Sequence, residues 1–146
     1  MQDRPTYSEL LEAVEHFLEA DVVPALDGPK KFHARVAANV LAIIRRELAS
    51  EDADLRAEWE RLDAVLGAAE PFPDDRAAAR RGMRGRTDRL CARIRAGEAD
   101  SGAWRGAVIA HARATVEAKL RVANPKYLAA DLTARANQSS TEFHQS

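Results

Sequence analysis

Apolar residues recur along this chain at the three-to-four-residue spacing of helices that bury one side. The first run opens near Thr6, where Thr6-Tyr7-Ser8-Glu9 has the spacing of a capping box. Leu10, Leu11, Val14, Phe17 and Leu18 share one face, and Glu9, Glu12, Glu15 and Glu19 share the other, which is expected to be solvated. Pro24 lacks a backbone donor and is expected to end or kink this helix near Val22-Val23. Asp27-Gly28-Pro29 reads as a turn, with Pro29 suited to the first turn of the next helix.

The second run, KFHARVAANVLAIIRREL over Lys31–Leu48, is the most informative. With about 100° between successive side chains, Phe32, Val36, Val40, Leu41, Ile43, Ile44 and Leu48 sweep about half the circumference, whereas an ordinary surface helix needs a stripe of roughly 100°. The pattern predicts an inner helix touched by several neighbours. Arg35, Asn39, Ala42 and Arg46 form a row along one edge of that arc.

A third helix is predicted from about Asp52 to Leu66, with Leu55, Trp59, Leu62 and Leu66 inward and Gly67 as its terminator. Ala68–Asp75 is a connector stiffened by Pro71 and Pro73, and Asp74 or Asp75 can cap the next helix. The fourth helix, Arg76–Ala96, has a thin apolar stripe of Ala79, Met83, Leu90 and Ile94, with Cys91 at its margin. Gly82 and Gly85 each cost about 1 kcal/mol against alanine in a helix, so a break or kink is predicted there. Gly97 ends it. The fifth helix begins near Ser101 and stops before Asn124-Pro125, because a residue preceding proline avoids helical geometry. Trp104, Val108, His111, Thr115 and Val122 share one face, and Ile109, Val116 and Leu120 widen it. The prediction is an all-α, single-domain bundle of about five helices over residues 1–128, with the second helix central. Residues 129–146 are expected to form a polar C-terminal tail, disordered over Gln138–Ser146.

Composition narrows the function classes. A length of 146 residues favours one domain. With aromatics at 5%, alanine and aliphatic side chains must fill the interior. A net charge of −1 supplies no field that would draw the whole protein to nucleic acid or membrane. The single cysteine, Cys91, cannot form an internal disulfide, which suits a reducing compartment. No run approaches the roughly 20 apolar residues of a membrane span, and acid appears too early in the N-terminal segment for a secretory signal. The expected location is cytoplasmic.

Candidate chemistry is sparse, and each constellation has a structural reading beside a functional one. Asn39, flanked by Arg35 and Arg46, needs a specific partner if buried, since an unpaired amide costs roughly 2–7 kcal/mol. That partner is either this chain's own backbone or a group on another molecule. His111 lies mid-stripe and reads as a satisfied core residue; general-base work would need an orienting carboxylate and a reacting group nearby. Glu12 and His16 lie four apart, but no second pair answers them as a bundle metal site requires, so no metal and no cofactor are expected. Cys91 has no CxxC partner and reads as packed. Arg76, Arg80, Arg81, Arg84, Arg86, Arg89, Arg93 and Arg95 crowd the fourth helix, just after the acidic Glu51–Asp75 segment. Pairing within the chain is the simplest account. A phosphate-binding surface centred on Arg80, Arg84, Arg89 and Arg93 is the alternative, with coenzyme A or nucleic acid as ligand. Near-neutral charge and the lack of a DNA- or RNA-binding pattern weigh against nucleic acid.

The segments RPTYSELLEAVEHFLEADVVPAL and FHARVAANVLAIIRREL, followed by LCARIRAGEAD and HARATVEAKLRVANPKY, resemble a family of small helical bacterial proteins of largely unassigned role. The resemblance spans Arg4–Tyr127 in outline and is most specific in the second helix and in Asn124–Tyr127. Arg76–Arg86 and the residues after Leu128 depart from it. Members resemble the companion subunit encoded beside aminoglycoside-phosphotransferase-like kinases and acyl-CoA dehydrogenase-like enzymes, which degrade hydroxy acids as coenzyme A thioesters. The resemblance implies an accessory, non-catalytic role beside such a kinase. It carries over no catalytic residue. Phe32, Arg35, Asn39 and Arg46, with His111, Asn124 and Tyr127, are the residues expected to meet a partner. A stand-alone coenzyme A or acyl-CoA binding module and a self-associating structural bundle remain as alternatives.

Overall fold

The structure, a computed structural model, describes residues 3–131 and 133. Among these residues the fold is all-α, without a strand. The elements are α1 (Tyr7–Phe17), a π-helical turn (Leu18–Val22), the short α2 (Val23–Ala25), α3 (Gly28–Leu66), α4 (Arg76–Arg95) and α5 (Gly102–Ala123). Residues 125–131 and 133 are also helical, so the predicted tail begins inside a helix; its other positions, Gln138–Ser146 among them, lie outside the described residues. The described residues fall into two compact units that divide between Glu51 and Asp52.

In the first unit, α1 starts on the predicted capping box. The Glu9 amide donates to Thr6 Oγ1 at 3.3 Å, and the Thr6 amide donates to Glu9 Oε2 at 2.7 Å. Near Pro24 the regular α-helix is interrupted, as expected, but it does not end at once. The backbone widens into a π turn instead, in which the Val23 amide reaches back to the Leu18 carbonyl, and helical geometry continues to Ala25. An extra residue per turn absorbs the bond that proline cannot make. Gly28, at φ +58°, then takes the left-handed conformation that lets α3 begin, with Pro29 in its first turn.

The expectation of a buried arc on Lys31–Leu48 is corrected by the structure. Among the described residues of this unit, Val23, Ala38 and Ala42 are buried. Phe32, Val36, Val40, Ile44 and Leu48 are 40–64% exposed, and Leu41 and Ile43 are half-buried. At about 100° per residue, Val40 lies about 180° from the midpoint between Ala38 and Ala42, so the packed face is the side opposite the large apolar residues. The second and third predicted helices are also one. No glycine or proline interrupts residues 30–66, and α3 runs unbroken for 39 residues.

The second unit contains a larger core. Trp59, Leu62 and Val65 of α3 pack with Met83 and Leu90 of α4 and Val108 of α5. Leu55, Leu66, Phe72, Ala99 and Trp104 close over them. Gly67, at φ +66°, terminates α3 as predicted, and the Asp75 carboxylate caps α4 by accepting from the Ala78 amide at 2.8 Å. The predicted break at Gly82 and Gly85 does not occur. A Cβ on Gly82 would stand 2.7 Å from the Trp59 ring, so this glycine allows the indole to lie against α4.

Candidate interaction surface

Two rows of large apolar side chains lie on the surface of the first unit. On α1, Tyr7, Leu10, Val14 and Phe17 are each at least 47% exposed. On α3, Phe32, Val36, Val40, Ile44 and Leu48 recur every four residues and form a ridge about 24 Å long. Single exposed apolar residues are ordinary, but contiguous rows mark surfaces that meet another molecule. The rows are displayed because other residues tie α1 to α3. Arg45 Nε donates to Glu15 Oε2 at 3.0 Å, and Arg45 lies 3.8 Å from Glu12. The bond to Glu15 and its charge raise the Arg45 pKa above the ordinary guanidinium value. Glu15 is thus drawn inward, out of the solvated acidic face expected for it.

The sequence-predicted partner residues divide between the two units. Phe32, Arg35 and Asn39 are exposed in the first unit, and Arg46 is half-buried with an interaction of its own. Asn39 therefore stands in solvent and has no need of the internal partner that burial would require. In the second unit Asn124 is exposed and structural: its side-chain oxygen accepts from the Tyr127 amide at 3.1 Å, which starts the last helical stretch. Tyr127 is 58% exposed.

His111 is buried, and its Nδ1 has no hydrogen-bond partner. Desolvation pushes its pKa below the ordinary 6.5, and Arg61 adds to this while Glu58 opposes it. Glu58 also accepts from the Thr115 hydroxyl at 3.5 Å.

The α4 arginines go mainly to partners within the unit. Arg89 reaches Glu70 at 3.4 Å, Arg93 binds Glu98 at 2.8 Å and lies 4.2 Å over the Trp104 ring, and Arg80 has an interaction of its own. Arg84 is exposed.

A family model described as a domain of unknown function, DUF6285, matches residues 24–127. The chain belongs to the DUF6285 family. No curated protein and no solved structure matches it. The DUF6285 match takes in the whole α3 ridge and leaves α1 outside.

Elsewhere on this DUF6285 chain, the second unit has an open cleft of about 500 Å³ with Leu55 and Phe72 on its walls. Its rim carries Asp52 and Asp74 against Arg56 and Arg76. The acids and bases balance, and Arg76 is held by Asp52 at 2.8 Å, so the cleft has no pronounced preference for a charged ligand. No group of three or more metal-ligating side chains occurs among the described residues, and no helix among them is long and apolar enough to cross a membrane.

The sequence pattern hid one residue outright. Arg86, one of eight similar arginines there, is 1% exposed. Its guanidinium lies 3.4 Å over the Trp59 ring and pairs with Asp63 at 2.8 Å and Glu70 at 3.2 Å. The signal present in the sequence was Gly82, one turn before Arg86 and small enough to admit a ring between them.

Proposed function

We propose that this protein is a non-catalytic accessory subunit that supports an aminoglycoside-phosphotransferase-like kinase acting on hydroxyacyl-CoA. The observation that carries the reading is the display of apolar rows on the first unit, which a partner would cover. The resemblance to companion subunits of such kinases supplies the partner's class. Phosphoryl transfer needs a metal-binding acid, a phosphate cradle and a group that positions the nucleophile, and in this reading the kinase provides all three. The α1 row, Tyr7, Leu10, Val14 and Phe17, supplies the heterologous contact. Its role would be to hold the kinase in a folded, acyl-CoA-competent form.

Co-expression with the kinase encoded beside it tests this directly. The two chains are expected to co-elute in size exclusion, and ATP consumption with hydroxyacyl-CoA is expected to fall when this chain is omitted. Leu10→Asp with Val14→Asp should abolish co-elution while circular dichroism of the isolated chain stays unchanged, because both side chains are already about half exposed. Separate elution together with full activity of the kinase alone would overturn the reading.

A further inference from the structure

The α3 ridge has a property that the α1 row lacks: its apolar centre at Val40 is flanked on the same face by two polar residues of complementary kind, His33 and Glu47. Val36 and Ile44 lie four positions either side of it, Ala37 and Ile43 three, and His33 and Glu47 seven. All six fall within about 60° of Val40 around the helix, on the side facing away from Ala38 and Ala42. His33, Ala37 and Glu47 are exposed along with the ridge.

We propose that α3 is the seam of a two-fold homodimer, in which it crosses the α3 of a second copy antiparallel at Val40. Ridges spaced four residues apart interdigitate in the commonest class of helix packing. A two-fold axis through Val40 sets each residue against the one equally far on the other side, as an isologous interface requires. Val40 then meets Val40, Val36 meets Ile44, and Ala37 meets Ile43. At each end the His33 imidazole meets the Glu47 carboxylate of the other copy, a hydrogen-bonding pair that the antiparallel register forms twice. In a parallel pairing His33 would face His33 and Glu47 would face Glu47, leaving two carboxylates in opposition. A second copy therefore fits this face through its polar ends as well as its apolar centre. The inference goes beyond the kinase reading and stands on a different helix, so the two can fail separately.

Light scattering coupled to size exclusion, run on the full chain over a range of micromolar concentrations, is expected to give the mass of two chains. Val40→Glu should return the mass of one chain with the helical signal unchanged, while Leu10→Asp with Val14→Asp should leave the dimer intact. His33→Glu should raise the dissociation constant at least about tenfold, because two carboxylates then face each other, and adding Glu47→Lys should restore it, since the exchanged pair is of opposite charge. In a Cys91→Ser background, Val40→Cys should cross-link to itself under mild oxidation. A wild-type chain of single mass at every concentration would sink the proposal, as would a dimer that survives Val40→Glu. A monomer that loses the kinase on Val40→Glu would overturn it in favour of the kinase on this face.

Discussion

Arg86 illustrates how a single side chain can be misjudged from sequence. It sits in an arginine-rich stretch that reads as a solvated basic face, yet its guanidinium is enclosed between the Trp59 ring and the Asp63 and Glu70 carboxylates. Replacing it with alanine strands Asp63, which is itself only 15% exposed, so Arg86→Ala should cost about 3 kcal/mol in urea unfolding. Lysine should not rescue it, because a point charge can neither stack flat on an indole nor fork between two carboxylates. Gly82→Ala pushes a methyl into the same ring. Trp59 cannot yield easily, since its Nε1 donates to the Glu70 carbonyl at 2.9 Å, and the loss should be about 1–3 kcal/mol by the same measurement. His111 makes a prediction with a sign. Its folded pKa lies below 6.5, so between that value and 6.5 the unfolded chain binds more protons than the folded one. The stabilising effect of its neutral form is complete above pH 6.5 and is lost as pH falls beneath it. The unfolding midpoint should drop across that window, and His111→Leu should flatten the drop.

At the scale of elements, the apolar period identified the helices but not which way one of them faces. The 31–48 pattern marks a wide apolar arc. It does not say whether that arc meets this chain or another, because both solutions leave the same period. Only the packing of Ala38 and Ala42 decides it, and alanines carry little weight in a hydrophobicity pattern. Boundaries were legible where chemistry punctuates the chain: the Thr6 box, Gly67, Asp75 and Gly97 all act as read. They were misread between Leu48 and Asp52, where two helices were expected and one continues. The continuity of α3 has a measurable consequence. Ala49 is exposed at the place where a linker was expected, and Ala49→Gly should cost about 1 kcal/mol in denaturant unfolding if the helix is continuous. A linker there would make the substitution nearly neutral.

At the scale of the molecule, the described residues are all-α, and the DUF6285 region crosses the division between the two units. The candidate surface was only partly foreseen. Phe32 was named for it and is exposed, but the rest of the ridge was assigned to the interior. Of the arginines in the phosphate reading of α4, Arg89 and Arg93 meet Glu70 and Glu98 in the loops on either side of that helix, and a linear reading cannot show which acids they meet. Both tryptophans, Trp59 and Trp104, belong to the second unit. Tryptophan emission, excited at the red edge where Tyr7 does not absorb, therefore reports the second unit alone, whereas far-ultraviolet ellipticity records both units. A thermal scan followed by both signals asks whether the first unit melts with its neighbour: superposable curves mean one cooperative transition, and an ellipticity loss preceding the spectral red shift means that the unit carrying the proposed dimer seam unravels first.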